Sequence, residues 1–436
     1  MGFHVTSASR RATALLALLV ALAIPATSQT LGRVKPRQES TTSSKVENVR
    51  VKGPALIVAP PPLIISEFRL RGPGPSGATL AQQDADEFIE IYNNSNSSVT
   101  ITTFDNSAGY AIAASDGVIR CTIPNNTVIP GRGHYLCVNS VGYSLSNYPA
   151  GNGTTATGDA TYTADIPDNA GIAIFDTANT ANFSLGTRLD AVGSTSEPNT
   201  LYKEGAGLPP LGVFNIDYSW YRDLSGGTPK ETNNNVADFV YVDTFATNAG
   251  AGQRLGAPGP ENLSSPIQRN DAISTTLIDP GCTGTATAAT QPCPRFRSTV
   301  AVANGAQGTL SIRRRFVNNT ASNVTRLRFR IVDITSFPAA PGNADLRALT
   351  SSDQPATCIG SGLGCPSPGA AIIIKGTTLE QPPNQPAGGA LNSSLSDNTI
   401  TLMTPLAPGN ATIVQFVLGI NGSGNYRFFI NVEALP

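Results

Sequence analysis

The sequence predicts an all-β protein built from two β-sandwich domains. Its composition suits short strands joined by turns, because 14% of the residues are charged, 40% are hydrophobic, and the chain contains 42 Gly and 33 Pro. Short runs in which apolar and polar residues alternate recur along the chain, and no convincing amphipathic helix follows the N-terminal segment. With 436 residues, the chain is long enough for two domains of ordinary size.

The N-terminal segment is predicted to direct export. Two arginines and no acidic residue precede an apolar run over residues 14–26, which is too short to span a bilayer as a helix. Small residues end this run, so residues 1–28 are predicted to be a signal peptide, with an uncleaved anchor as the alternative. The expected location is extracellular, at the cell surface or periplasmic. Residues 29–62 are basic and end in three prolines, which predicts a disordered tether.

The first domain is organised around residues 86–93, DEFIEIYN, which alternate as a β-strand does. The alternation predicts that Ile89 and Ile91 face the core and that Glu90 faces solvent. Residues 63–68 are the expected partner strand upstream. A polar turn follows residue 93 and the alternation resumes at residues 99–102, which predicts a hairpin.

Further motifs follow this strand in a recognisable order. They are PGRGHYL (130–136), GIAIFD (171–176), LDAVG (189–193), SWYRD (219–223), DF (238–239) and PGPEN (258–262). Together with residues 63–68 and 86–93, this order resembles the lamin tail domain over residues 63–263. The resemblance implies an immunoglobulin-like β-sandwich of the kind that secreted bacterial proteins carry, often as an accessory module beside nucleases and other hydrolases. It implies a fold and no particular chemistry.

A second β-sandwich is predicted over residues 270–436, after a short linker at residues 264–269. Eight turn-separated runs support it: 273–278, 296–303, 309–317, 324–334, 370–374, 399–403, 412–418 and 426–435. The two halves differ in charge. Residues 63–263 contain 20 acidic and 9 basic side chains, and residues 264–436 contain 8 acidic and 12 basic ones. This asymmetry suits either electrostatic docking of the two domains or the solubility of each.

The six cysteines predict disulfides, because an even number follows an export signal. Their spacing favours three local pairs, Cys121–Cys137, Cys282–Cys293 and Cys358–Cys365. Six cysteines allow fifteen pairings, and spacing only weights the choice. Metal binding is the alternative, but the sequence has no C-x-x-C motif and His134 is the single histidine after the signal.

The sequence does not predict an enzyme. A nucleophilic hydrolase needs a base beside its Ser or Cys, and only His134, in an expected turn, is available. The motifs G-x-S-x-G, H-E-x-x-H and the phosphate-binding glycine loops do not occur. A carboxylate-based hydrolase stays open as an alternative, but solvent exposure on a strand is the favoured explanation of Glu87 and Glu90.

No cofactor is predicted, with calcium as a weak alternative. Asp84, Asp86 and Glu87 offer the hard oxygen ligands that Ca²⁺ prefers. Their spacing is not that of a known calcium loop, so a solvated acidic turn is the competing interpretation.

A stripe of arginines is the candidate ligand-binding site. Residues 309–317 and 324–333 flank a polar turn and are predicted to form a hairpin, with five arginines on one face. They are Arg313, Arg315, Arg326, Arg328 and Arg330. Like charges across a hairpin are destabilising, so something must offset them. Solvent and carboxylates from a neighbouring strand or from the acidic first domain are one alternative. An anionic glycan, wall polymer or nucleic acid is the other.

The function predicted from these observations is that of an exported, non-catalytic binding or adhesion protein at the cell surface or outside the cell. An anionic polymer (glycan, wall polymer or nucleic acid) is the candidate partner, and no transmembrane segment is expected after the signal. Two alternatives stay open. One is an accessory subunit or remnant of an extracellular hydrolase or nuclease system, and the other is a structural envelope protein.

Overall fold

Strands account for nearly all of the regular structure in the computed structural model, which confirms the predicted all-β class. The structure describes residues 62–211, 216–245, 252–380 and 385–436. The predicted signal peptide and all but the last residue of the predicted tether lie outside the described residues. Residues Ala59–Pro436 form one compact unit, which contains both predicted sandwiches. None of the described helices combines the length and the apolarity needed to cross a membrane.

The elements are short. In chain order, the strands up to residue 255 are β1 (Leu63–Arg69), β2 (Phe88–Asn93), β3 (Val99–Thr100), β4 (Gly109–Ala114), β5 (Ile119–Pro124), β6 (Val128–Ile129), β7 (His134–Asn139), β8 (Ala160–Tyr162), β9 (Ile172–Phe175), β10 (Arg188–Val192), β11 (Tyr218–Arg222), β12 (Phe239–Asp243) and β13 (Arg254–Leu255). The later strands are β14 (Ile267–Gln268), β15 (Ile273–Thr276), β16 (Thr285–Ala286), β17 (Arg295–Ser298), β18 (Thr309–Asn318), β19 (Arg326–Ile334), β20 (Asp345–Leu349), β21 (Gln354–Thr357), β22 (Ala371–Ile374), β23 (Thr378–Leu379), β24 (Ser394–Ser396), β25 (Ala411–Gly422) and β26 (Phe428–Leu435). The described helices are α1 (Leu80–Asp84) and α2 (Asn235–Asp238), with 3-10 turns at Leu145–Asn147, Thr180–Asn182 and Thr200–Tyr202.

The first half of the described chain forms a sandwich of two sheets. One sheet has seven strands in the order β13-β12-β11-β1-β2-β7-β8, and the other has four in the order β10-β9-β4-β5. One hydrophobic cluster takes side chains from both sheets, including Ile89 and Ile91 of β2 and Ile112 and Ile174 of the smaller sheet. The core-facing prediction for the two isoleucines of β2 is therefore confirmed. Trp220 lies in the same cluster.

The second half forms another pair of sheets. The five-stranded sheet has the order β14-β26-β19-β24-β23, and the six-stranded sheet has the order β16-β17-β18-β25-β20, with β15 also paired to β18. Phe329 from the first sheet contacts Phe316 and Phe416 from the second, with ring centroids 4.9 Å away in both cases. The second predicted sandwich is thus present. One predicted strand, residues 399–403, is a turn, and β20 was not predicted.

The same asparagine-held turn occurs in both halves. Asn93 ends β2 and Asn318 ends β18, and each side-chain amide donates one hydrogen bond to the carbonyl four residues further on and another to a distant stretch of backbone. The bonds run from Asn93 Nδ2 to Ser97 O (2.8 Å) and Ile129 O (3.2 Å), and from Asn318 Nδ2 to Ser322 O (2.9 Å) and Leu406 O (2.7 Å). In each half, the strand that ends at the asparagine pairs with the strand that follows a Pro-Gly turn: β2 with β7, and β18 with β25.

Both predicted hairpins are therefore wrong, and for one reason. The chain after each asparagine leaves the strand instead of turning back beside it. β3 pairs with β6, and β19 joins the opposite sheet through β26 and β24. Because β18 and β19 each have one apolar face, placing them in opposite sheets buries both faces against each other, whereas a hairpin would leave them side by side.

Three disulfides join Cys121 to Cys137, Cys282 to Cys293, and Cys358 to Cys365, which are the pairs favoured by the spacing. The first connects β5 of the smaller sheet to β7 of the larger sheet across the first sandwich. The other two connect loops of the second half. Such bonds form and persist in oxidising, non-cytoplasmic environments.

The buried face of β2 gives a direct test of the first sandwich. Replacing Ile91 by Asp places a carboxylate at a position with 0% exposure, and we expect a loss of several kcal/mol in the free energy of unfolding. Leu185, which is 66% exposed in a loop, is the matched control. Leu185→Asp should change the free energy of unfolding by less than about 0.5 kcal/mol. Urea unfolding of both variants makes the comparison, and equal losses would contradict the assignment of faces.

Candidate functional site

The five arginines of the predicted stripe lie on two different sheets. Arg313 and Arg315 belong to β18, and Arg326, Arg328 and Arg330 belong to β19. The three on β19 share one face of the strand, because the residues between them lie in the hydrophobic core. They are buried and not exposed to solvent. The shared face of the β19 arginines agrees with the prediction, and the exposed five-arginine stripe does not.

Glutamates neutralise the three arginines of β19. The ion pairs are Arg326–Glu380, Arg328–Glu261, Arg328–Glu380 (3.0 Å), Arg328–Glu433 (3.7 Å), Arg330–Glu261 (2.9 Å) and Arg330–Glu433 (2.9 Å). Glu261 comes from the acidic first half of the chain, whereas the arginines come from the basic second half. Carboxylates from the first half and from neighbouring segments therefore offset these charges, which was the structural alternative considered above.

Two more glutamates and a histidine lie against these ion pairs. Glu67 of β1 accepts hydrogen bonds from Gly259 N (2.9 Å) and Asn392 Nδ2 (3.0 Å). Glu90 of β2 accepts hydrogen bonds from Ser66 Oγ (2.5 Å) and from the backbone N of Glu261 (2.6 Å). We refer to nine buried residues as the ionic junction: Glu67, Glu90, His134, Glu261, Arg326, Arg328, Arg330, Glu380 and Glu433.

Burial dominates the acid–base behaviour of these glutamates. Desolvation raises the pKa of Glu67, and desolvation together with the charges of Glu67 and Glu261 raises the pKa of Glu90 well above its ordinary value. Desolvation and the charge of Glu261 likewise raise the pKa of Glu433. The expectation that Glu90 is solvent exposed is wrong, since only 4% of the residue is accessible. Because the opposite face of β2 is also in the core, this strand has two buried faces.

His134 is the first residue of β7 and not part of a turn. Its Nε2 lies 3.1 Å from a carboxylate oxygen of Glu261 and 3.8 Å from one of Glu90. Burial, assisted by the positive charge of Arg330, lowers the pKa of His134 to about 3. The imidazole is therefore neutral at physiological pH, and its Nδ1 is buried without a hydrogen-bond partner.

Three groups of potential metal ligands occur among the described residues: Asp279 with Cys358 and Cys365, Asp190 with Glu204 and Glu231, and Glu90 with His134 and Glu261. The first group cannot bind a metal through its thiols, because both cysteines are in a disulfide. In the second group, Arg222 already forms ion pairs with Asp190 (2.5 Å) and Glu231 (2.7 Å). The third group lies in the ionic junction and combines a neutral imidazole with two carboxylates.

The calcium candidates bind to separate protein partners. Asp84 forms an ion pair with Arg71 at 2.8 Å. Asp86 is buried and forms an ion pair with Arg69 at 2.5 Å. The Glu87 carboxylate, also buried, accepts hydrogen bonds from Asn139 Nδ2 (2.8 Å) and Ile166 N (2.7 Å). Their oxygens do not converge, and the expectation that Glu87 is an exposed strand residue is wrong.

The arginines of β18 have different surroundings from those of β19. Arg313 is buried, donates a hydrogen bond to Gln291 O (2.7 Å) and lies over the ring of Phe296, 5.6 Å from its centroid. Burial lowers the pKa of Arg313 to about 10. Arg315 is half-buried. Within the part of the chain that the structure describes, neither residue forms an ion pair with a carboxylate.

An apolar groove opens between the two sheets of the second sandwich. We refer to it as the aromatic groove, and it has a volume of about 330 Å³. Its lining residues are Asn270, Ile273, Thr275, Ile312, Arg314, Phe316, Phe416, Phe428, Phe429, Ile430 and Val432. Phe429 also belongs to the lining and is 56% exposed, while its neighbours Phe428 and Ile430 pack against the core.

Arg314 is the one charged residue in the lining of the groove. Its Nη1 donates to the carbonyl oxygens of Pro294 (3.3 Å) and Arg313 (2.7 Å). The register of β17 places Arg295 opposite Ile312, so Arg295 leaves the sheet on the same face as Arg314. Burial, together with the charge of Arg295, lowers the pKa of Arg314. Neither guanidinium forms an ion pair with a carboxylate of the described chain.

Sequence reasoning missed the acidic partners of β19 and the second pair of arginines. Glu433 was detectable in principle, because it alternates with apolar residues in the last strand and has the opposite charge to the β19 arginines. Glu261 and Glu380 lie outside strands and carry no such signal. Arg295 and Arg314 were missed because the assumed hairpin gave β18 the wrong neighbours.

Comparisons of the chain with protein-family models, with curated proteins and with solved structures found no match.

The ionic junction predicts a large difference between buried and exposed arginines. Arg328→Ala removes a fully buried guanidinium and leaves Glu261 and Glu380 with fewer partners, which should cost about 3–5 kcal/mol in the free energy of unfolding. Arg427, whose side chain is 59% exposed in its pair with Asp333, is the control, and Arg427→Ala should cost less than about 1 kcal/mol. Denaturant titrations measure both values. A small loss for Arg328→Ala would mean that the junction contributes little to stability.

Glu87 predicts a pH-dependent stability. Burial, with a smaller contribution from Asp165, raises the pKa of Glu87 to about 8, whereas in the unfolded chain it is about 4.3. The folded state thus favours the protonated carboxyl, and this contribution is complete below the unfolded pKa and is lost as the pH rises through about 8. Glu87→Gln removes the titration. Relative to the wild type, the variant should gain stability between pH 5 and pH 8, by at most about 1.4 kcal/mol per pH unit.

Thermal unfolding of both proteins at pH 5, 6, 7 and 8 measures this gain. Any constant cost of replacing a carboxyl by an amide shifts all four differences equally and does not affect the trend. Parallel curves for the two proteins would contradict a raised pKa for Glu87.

Proposed function

We propose that this protein is an exported, non-catalytic binding protein that holds an acidic polysaccharide in the aromatic groove of its second sandwich. In this proposal the first sandwich is the lamin-tail-like domain that the sequence resembles, and the ionic junction fixes it to the second. The three disulfides support a location in an oxidising compartment outside the cytoplasm.

The observation that carries the proposal is the contrast between two sets of arginines. Those of β19 are buried and neutralised by glutamates. Arg295 and Arg314, at the aromatic groove, form no ion pair within the described chain, although Arg314 is half-buried and its pKa is lowered. A guanidinium that is partly desolvated without a carboxylate is poised to gain from an anion, and its fork geometry suits carboxylate and sulfate groups.

The apolar part of the groove favours a ligand with rings. Phe316, Phe416 and Phe428 line its interior, and Phe429, which is 56% exposed, belongs to the lining as well. The volume of about 330 Å³ is at the lower end of ligand-binding pockets. A sugar unit has an apolar C–H face that packs on an aromatic ring. An acidic sugar adds a carboxylate that can pair with Arg295 and Arg314.

Catalysis by the paired carboxylates of the ionic junction is not favoured by its geometry. Glycoside hydrolysis places a sugar and, in inverting enzymes, a water between two carboxyl groups. The cavity beside Glu90 and Glu261 has a volume of about 40 Å³, which holds a few water-sized groups and no sugar. Glu261 is also engaged by two arginines.

Binding to polygalacturonate tests the proposal. We expect the protein starting at Gln29 to bind this acidic polysaccharide, to bind the neutral polysaccharide dextran much more weakly, and to lose affinity as salt is raised. Arg295→Ser combined with Phe429→Ser should weaken binding by about tenfold or more, a loss of about 1.4 kcal/mol or greater. Both residues are at the surface, so the fold should persist. Isothermal titration calorimetry and affinity electrophoresis provide the measurements.

Arg427→Ser is the matched control, because Arg427 is also exposed but is already paired with Asp333. It should leave binding unchanged. Single-stranded DNA is the competing anion. Tighter binding of DNA than of polygalacturonate, or binding that survives the double substitution, would overturn the assignment of an acidic polysaccharide to this groove.

A further inference from the structure

The ionic junction contains an excess of buried negative charge. Its five glutamates face three arginines, so two formal negative charges stay uncompensated when every carboxyl is ionised. Two other arginines line the adjoining cavity. Arg222 is paired with Asp190 and Glu231, and Arg132 is half-exposed and donates to Asn94 and Asn96. Because a buried unpaired charge costs several kcal/mol, the junction must hold either protons or a cation.

Three of the side chains have the geometry of a metal site. One ligand atom from each of Glu90, His134 and Glu261 lies within 4.8 Å of the other two. His134 Nε2 is 3.1 Å from Glu261 and 3.8 Å from Glu90. In a tetrahedral site with bonds of about 2.0–2.2 Å, neighbouring ligand atoms lie roughly 3.3 Å apart, so small adjustments of these side chains complete the coordination of one ion.

Unsatisfied polar atoms also point to a missing ligand. Glu433 lines the cavity beside the three side chains, and its buried Oε2 has no hydrogen bond and only a 3.7 Å ion-pair contact with Arg328 Nη1. His134 Nδ1 is buried without a partner as well. The cavity of about 40 Å³ exceeds the 10–15 Å³ that one water requires, so it has room for an ion with a bound water.

We propose that Glu90, His134 and Glu261 bind one divalent transition-metal ion, with zinc as the preferred metal. One imidazole with two carboxylates is a donor set that zinc accepts. The two positive charges of the ion balance the two excess negative charges of the ionic junction. Arg328 and Arg330 then act as outer partners that orient the Glu261 carboxylate, as hydrogen-bonded neighbours of metal ligands commonly do. The ion joins β2, β7 and the segment that precedes the second sandwich.

The single histidine of the mature chain makes the test sharp. The sequence contains two histidines, His4 and His134, and only His134 follows the predicted signal peptide. Untagged protein starting at Gln29 is stripped with EDTA and titrated with zinc chloride. We expect uptake of one equivalent by calorimetry and elemental analysis, a rise in melting temperature, and a shift of the one imidazole signal in a nitrogen–proton NMR spectrum.

Substitutions identify the ligands. His134→Gln and Glu90→Gln should each abolish stoichiometric uptake, whereas Glu231→Gln, in the other acidic group around Arg222, should leave it unchanged. Circular dichroism verifies that each variant is folded. If a variant does not fold, the visible spectrum of wild-type protein loaded with Co²⁺ decides the matter, because tetrahedral nitrogen–oxygen coordination gives intense bands.

The proposal is overturned by any of three results: no stoichiometric uptake of zinc, an imidazole signal that zinc does not move, or uptake that persists in folded His134→Gln. The first two results would mean that protons, and not zinc, relieve the excess charge of the junction, and the third would mean that zinc binds without His134.

Discussion

The pairing of Glu261 with Arg328 and Arg330 is the interaction on which the arrangement of this protein depends. The Glu261 carboxylate contacts two of the three guanidiniums of β19, and its backbone N donates to Glu90 of β2. A single residue thus connects the organising strand of the first half to a central strand of the second. Buried ion pairs add little net stability compared with apolar packing, but a broken one is costly. The junction therefore penalises any arrangement that separates these charges, and so it contributes to the specificity of the fold.

The alternation of apolar and polar residues along the chain predicted most of this fold, but it did not predict the surroundings of the charged strand faces. It identified β2, its core-facing isoleucines, and the common face of the β19 arginines. The alternation does not indicate which side chains contact the arginine face of β19. A charged strand face is usually solvated, so exposure was expected for Glu90 and for the arginines. Here the charged faces of two sheets meet each other, and their partners, Glu261 and Glu380, come from irregular segments in which side-chain periodicity carries no information.

The two wrong hairpins have a common physical cause. Consecutive strands usually pair with each other, so a polar turn between two alternating runs predicts a hairpin. Asn93 and Asn318 overrule that tendency, because their side chains bind the backbone of a later segment and give the neighbouring place in the sheet to β7 or β25. The sequence contains the signal in the repeated pattern Asn-Asn-Ser/Thr at residues 93–95 and 318–320, each followed later by Pro-Gly. One copy of this pattern in a sequence does not indicate that the strand pairs with a later segment. Two copies in the same structural role do.

The arginines of the second half fall into two groups, those that hold the structure together and those available to a ligand. Both β18 and β19 are rich in arginine, and sequence alone gives no reason to treat them differently. The structure divides them by their acidic partners. β19 faces the first half of the chain, where glutamates converge, whereas β18 and β17 form the opposite sheet. Since the acidic side chains are concentrated in residues 63–263, β17 and β18, in the sheet that faces away from them, keep Arg295 and Arg314 without carboxylate partners among the described residues. The charge asymmetry of the sequence thus has two consequences: it fixes the two halves together on one side, and it leaves Arg295 and Arg314 beside an aromatic groove on the other.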